Sequence, residues 1–100
     1  MQEKSDFSLN KYHIYILFSL KDKRLYIGYT TNLELRLIEH NSGRVTSTKD
    51  RRPFQLIYYE VFTNKGDAKA REVFLKSGFG RNELKKALKR TLTDLGYKNL

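Results

Sequence analysis

From Tyr12 the chain alternates. Tyr12, Ile14, Ile16 and Phe18 fall on one side of an extended backbone, and His13, Tyr15 and Leu17 on the other. A period of two is that of a β-strand. Leu20-Lys21-Asp22-Lys23 is polar, and Arg24 to Thr30 forms a second β-rich run. So short a connection predicts an antiparallel hairpin. With a loop of Ser19 to Asp22, Phe18 pairs with Lys23 and Tyr15 lies opposite Tyr26, both phenols on one face. A slip of one residue would part them.

After Thr30 the period becomes helical. Thr31 with Glu34 three residues on reads as a capping box. Leu33, Leu37 and Ile38 form an apolar stripe, while Asn32, Arg36 and His40 share another face at i, i+4 and i+8. Gly43 suits a left-handed helix stop. A polar, basic loop follows from Arg44 to Pro53, then a third strand from Phe54 to Phe62 centred on Leu56-Ile57-Tyr58-Tyr59. Asp67 opens a second helix with Ala70, Val73 and Phe74 as its stripe. Gly78 and Gly80 interrupt it. A last helix runs from about Asn82 to Thr91, with Leu84, Ala87 and Leu88 apolar and Lys85, Lys86, Lys89 and Arg90 outward. Asn82 could cap it. The order β-β-α-β-α-α predicts one α/β domain, a three-stranded antiparallel sheet flanked by helices. Its core spans about residues 11–92, behind a leader over 1–10.

A chain of 100 residues suits one domain with one core. It has no cysteine, which excludes disulfides, zinc knuckles and a thiol nucleophile. The longest apolar run, Ile14 to Phe18, is far too short to span a membrane, and Met1 to Asp6 lacks the apolar region of a signal peptide. A cytoplasmic protein away from membranes is expected. Twenty Lys and Arg stand against eleven Asp and Glu, a net charge of +9. That balance favours a polyanion, nucleic acid first. Lys49, Arg51 and Arg52 in the longest loop could follow a phosphate backbone. The cations of the last helix read more simply as a solvated face. No helix looks built to read base edges, so binding should follow backbone or structure rather than sequence. The choice of target would then fall to a protein partner.

Hydrolysis of a phosphodiester needs a nucleophile generated, charge neutralised on the phosphoryl oxygens and help for the leaving oxygen. A tyrosine, with a pKa of about 10, is a poor base until a neighbour shares its proton or a cation favours the phenolate. Arg36 and His40 on the helix after the hairpin supply such neighbours for Tyr15 and Tyr26, and an arginine fork suits phosphate oxygens. Each residue has a plain reading: tyrosines packing across a hairpin, a solvated arginine, a histidine favouring a helix C-terminus. Glu72 has Ala68 at i−4 and Leu75 at i+3, which predicts a half-buried carboxylate in want of a cation. A hard divalent ion, Mg²⁺ or Mn²⁺, fits. With one carboxylate in view, a single ion completed by water and phosphate is expected. The plain alternative is an exposed Glu72–Lys76 pair.

His13-Ile14-Tyr15, Tyr26-Ile27-Gly28, Arg36 with His40, and Glu72 form an ordered set over roughly residues 11–92. The set resembles the GIY-YIG nuclease family, which includes the nuclease module of the bacterial excision-repair incision protein and of intron homing endonucleases. The tail Leu75 to Arg81 is similar to that of small stand-alone bacterial members. The resemblance implies a divalent-metal-dependent endonuclease acting on nucleic acid, DNA before RNA. Tyr15 and Tyr26 would activate water, Arg36 would stabilise the transition state, His40 would aid proton transfer or phosphate binding, and Glu72 would hold the metal. All five should line one basic cleft on one sheet face. Asn82 stands nearest the asparagine many members place after the glutamate helix, a nucleic-acid contact or a helix cap. His13 departs from the family by replacing the first glycine. The alternative reading is a binding module without catalysis that keeps the fold; the intact set of five favours the enzyme.

Overall fold

A computed structural model describes residues 9–98. Of the leader expected over 1–10, all but Leu9 and Asn10 lie outside the described residues. The alternating run forms β1 (Tyr12–Ser19), followed by β2 (Leu25–Thr30), and the third run forms β3 (Phe54–Phe62). All pairings are antiparallel, in the order β2-β1-β3. The central place of β1 explains why Ile14 through Ser19 are all buried: both of its faces are covered.

The hairpin register differs from the expected one. Phe18 pairs with Leu25 and Leu17 with Tyr26, so Tyr15 lies opposite Gly28, not Tyr26. The turn closes at Arg24 rather than Asp22, through Ser19 N–H to the Arg24 carbonyl at 2.9 Å, with Lys23 at φ +62°. The cause is Ser19, whose hydroxyl accepts from the amides of Lys21 and Asp22 and donates to the Arg51 carbonyl. A widening by two residues preserves the face, so both phenols still point the same way.

That face is covered by α1 (Leu33–Asn41), whose Leu33 and Leu37 pack on Tyr15, Leu17 and Phe54. The opposite face carries α2 (Lys65–Lys76), α3 (Gly78–Ala87) and α4 (Lys89–Asp94). Ala68, Leu75, Leu84 and Leu92 from these helices meet Ile14, Ile16, Phe18 and Ile27.

Helix starts follow side-chain caps rather than the expected residues. The Asn32 carboxamide, not Thr31, caps α1, accepting from Leu35 N–H at 3.1 Å. Asn64 caps α2, which begins at Lys65, before Asp67. Ser77 caps α3, so Gly78 opens that helix instead of breaking one. Asn82 is exposed in the middle of α3 and caps nothing. The expected last helix is divided at Leu88 (φ −108°, ψ 24°) into α3 and α4. Two apolar stripes also differ: Ile38, Ala70 and Val73 are exposed. On α2 the face toward the sheet carries Ala68 and Leu75, with Phe74 partly covered. Gly43 stops α1 as expected, at φ +81°. No helix among the described residues is long and apolar enough to cross a membrane.

Candidate active site

The site grows from the point where Tyr15 crosses β2. A Cβ at Gly28 would sit 2.4 Å from the Tyr15 hydroxyl oxygen, so the second triplet needs its glycine to let the phenol pass. The Tyr15 ring then meets Tyr26 at 6.2 Å and His40 at 5.6 Å between centroids, and Tyr26 meets His40 at 5.0 Å. Phe54 closes the wall, 5.9 Å from His40.

Arg36 and His40 lie one turn apart on α1 and both reach the Tyr15 hydroxyl. His40 Nε2 is 2.8 Å from it. Arg36 Nε donates to it at 3.4 Å, while Arg36 Nη1 donates to Glu39 at 3.0 Å. Behind His40, Nδ1 lies 2.9 Å from the Thr48 hydroxyl. Tyr15, His40 and Thr48 are fully buried, and Tyr26 is partly exposed. Sequence reasoning missed Thr48. It sits in a polar loop, where no periodicity distinguishes it from Thr46 and Ser47.

Enclosure sets the protonation states. Burial pushes the Tyr15 pKa up to about 12, against the pull of the Arg36 hydrogen bond. Burial, helped by the Arg36 charge, lowers His40 from the usual 6.5 to about 4. At neutral pH both groups are uncharged. The unfolded chain therefore binds a proton at His40 before the folded chain does, and the stability His40 contributes is present above pH 6.5 and lost as pH falls toward 4. Between pH 7.5 and 5 the loss due to His40 should be about 2 kcal/mol. Urea unfolding of wild type and His40→Gln at both pH values checks this. The variant's stability should change by about that much less; an equal loss in both proteins assigns the effect elsewhere.

Glu72 projects from α2 beside buried Ala68 and Leu75, with its side chain only 12% exposed. The carboxylate is enclosed, and the Glu72–Lys76 pair forms as well, though not as the exposed pair of the plain alternative. Lys69 Nζ donates to Oε1 at 3.0 Å and Lys76 Nζ to Oε2 at 3.1 Å. Burial raises the Glu72 pKa, but the two lysines outweigh it and hold the carboxyl below its usual range. The expectation of one cleft on one sheet face needs correction, because α2 packs on the face opposite α1. Glu72 nonetheless stays close enough for its charge to bear on the Tyr15 phenol. Among the described residues no three His, Asp or Glu side chains converge. The donor set therefore fits a hard cation only as one carboxylate plus water and phosphate. Both carboxylate oxygens already pair with lysines, so a cation there would share or displace those partners.

The remaining sequence candidates lie outside the Tyr15–His40–Thr48 network. His13 sits in regular strand, its Nδ1 3.3 Å from the Thr30 carbonyl. Among the described non-glycine residues only Lys23 has a positive φ, so β1 does not require a glycine there. Lys49 and Arg52 are exposed in the loop, with Arg52 Nε donating to the Lys49 carbonyl at 2.7 Å. Arg51, expected as a free loop cation, is engaged: its Nε donates to Asp22 at 2.5 Å and its guanidinium lies over the Phe54 ring. It ties the loop to the hairpin. Asn82 is an exposed side chain of α3.

An antiparallel three-stranded sheet whose one face carries two tyrosines, an arginine and a histidine, with a lysine-held glutamate from the opposite layer, makes a small α/β domain. The GIY-YIG catalytic domain matches residues 11–86, and the chain belongs to that family. The chain is 43% identical over 81 residues to a UPF0213 protein of Pediococcus acidilactici, covering 78% of this chain and 82% of that one. It is also 43% identical to a UPF0213 protein of Staphylococcus haemolyticus, over 75% of this chain and 92% of that one. Among solved structures, the solution NMR structure of a UPF0213 protein from Bacillus halodurans superposes with a TM-score of 0.50 at 32% identity, over 77% of this chain and 84% of that one.

Proposed function

We propose that the protein is a divalent-metal-dependent endonuclease that hydrolyses phosphodiesters, in DNA before RNA, in the cytoplasm. The observation that carries this reading is the Tyr15 hydroxyl held between His40 Nε2 and Arg36 Nε, with partly exposed Tyr26 packed against the same cluster. Tyr26 is the phenol open to a substrate, so it meets the attacking water. Enclosed Tyr15 assists by anchoring Arg36 and His40. In the reaction the water oxygen bonds to phosphorus as its proton passes to the Tyr26 oxygen, while the Tyr26 hydroxyl hydrogen passes to solvent. The bond to the leaving oxygen breaks with its electron pair, and that oxygen is then protonated from solvent. Arg36 holds the non-bridging oxygens as charge gathers there. Glu72 would hold one Mg²⁺ or Mn²⁺, which supplies charge neutralisation at the phosphate.

The second reading, a binding module without catalysis, has one observation on its side: both Glu72 oxygens are already taken by lysines. Incubation with single-stranded, nicked, branched and duplex DNA and RNA, in Mg²⁺, Mn²⁺ or EDTA, separates the two. The enzyme cleaves at least one of these in metal and none in EDTA. Binding without cleavage in any of them hands the function to the module.

Lys49 and Arg52 would contact phosphates along the strand. Arg51 would do so only by leaving Asp22. Changing Lys49 and Arg52 together to alanine should weaken binding to all sequences alike and reduce the slope of log affinity against log salt by about two units for duplex DNA. An unchanged slope would place the backbone elsewhere. If no single domain feature selects the target, a protein partner does.

A further inference from the structure

Behind the site runs a chain of polar groups whose two ends can each play only one part. A guanidinium only donates, and a backbone carbonyl only accepts. Arg36 Nε lies 3.4 Å from the Tyr15 oxygen, which lies 2.8 Å from His40 Nε2. His40 Nδ1 lies 2.9 Å from the Thr48 oxygen, which lies 3.4 Å from the Val45 carbonyl. Tyr15, His40 and Thr48 have no exposed surface, so every hydrogen in the chain needs an acceptor inside it.

One direction satisfies them all. Arg36 donates to Tyr15, Tyr15 to His40 Nε2, His40 Nδ1–H to Thr48, and Thr48 to Val45. With the proton on Nε2 instead, Arg36 and His40 would both aim donors at the phenol oxygen, and the Tyr15 hydrogen would be enclosed without an acceptor. Which nitrogen of a histidine carries the proton is set by the bond the other one makes, and here that bond goes to Thr48.

We propose that Thr48 is a positioning residue of the site: by accepting from His40 Nδ1–H it keeps Nε2 bare for the Tyr15 hydrogen, which leaves the phenol oxygen to orient Arg36. Thr48 acts through His40 and touches no substrate. The proposal deepens the nuclease reading and rests on it only where turnover is measured.

The test begins with ¹⁵N-histidine labelling. The chain has two histidines, so His13→Gln assigns the signals. In wild type at pH 7.5, His40 should be protonated at Nδ1 and bare at Nε2. Thr48→Val, which keeps the shape and removes the hydroxyl, should move proton population to Nε2, and Thr48→Ser should keep it on Nδ1. A wild-type proton on Nε2, or a Thr48→Val variant still protonated only at Nδ1, overturns the proposal. Should Thr48→Val fail to fold, the wild-type and Thr48→Ser tautomers decide alone. In the cleavage assay Thr48→Val should lower kcat about tenfold or more with KM little changed, and Thr48→Ser should restore it. An unchanged kcat in a variant whose proton has moved also overturns the positioning role. If wild type cleaves nothing, the nuclease reading falls, and the nitrogen signals still judge Thr48.

Discussion

Glu72→Gln is expected to reduce single-turnover cleavage on the order of a thousandfold, while nucleic-acid affinity is kept or slightly improved. The carboxamide fills the same space beside Ala68 and Leu75, so α2 should stay docked. What it loses is the charge that would hold the metal. What it frees are Lys69 and Lys76, each now paired with a carboxylate oxygen, and two released ammonium groups favour phosphate. Mn²⁺ binding followed by electron paramagnetic resonance gives a readout apart from activity and should vanish in the variant. Lys76→Met should shift Mn²⁺ affinity only slightly upward, because that lysine is half exposed and an exposed pair is worth about 0–1 kcal/mol. Full metal-dependent cleavage by Glu72→Gln would remove Glu72 from the mechanism and leave the lysine clamp as its whole role.

The strands were legible because the signals were strong. Alternation from Tyr12 to Phe18 has one reading, and a register shift of two residues leaves every side chain on its face. Tyr15 and Tyr26 therefore share a face although the turn runs to Arg24. Helix ends were less legible. Asn32, Asn64 and Ser77 each place a side-chain oxygen on a free amide, and several nearby polar residues compete for that role on paper. Layering was not legible. Nothing in the spacing says that α2 lies across the sheet from α1, which is why one cleft on one face was expected. The fate of Arg51 depends on Asp22, 29 residues away, a pairing that no local pattern carries. Thr48 was hidden for the same reason: its role exists only because His40 arrives from another element.

Gly28→Ala should damage the protein through a single contact. The added methyl would lie 2.3 Å from Tyr15 Cζ and 2.4 Å from its hydroxyl oxygen, far inside contact distance. Gly28 is not at positive φ, where only Gly43 and Gly96 are found among the described glycines, so backbone strain is not the cause. It lies in the β2–β1 ladder directly opposite Tyr15, and neither strand can retreat without losing pairing. The phenol must swing aside, giving up His40 Nε2 at 2.8 Å and Arg36 Nε at 3.4 Å. Overpacking of this kind costs about 1–3 kcal/mol, and misplacing the Arg36 and His40 side chains that Tyr15 anchors should cost on the order of a hundredfold in rate. A double-mutant cycle with Tyr15→Ala isolates the clash. In that background the ring is gone, so Gly28→Ala should cost much less, with a coupling energy of about 1–3 kcal/mol in urea unfolding. Additive losses would mean that Gly28 serves the sheet and not the phenol. A Gly28→Ala protein as stable and active as the parent would mean that Tyr15 need not cross β2 at all, and the Tyr15–His40 bond would lose its place in the mechanism.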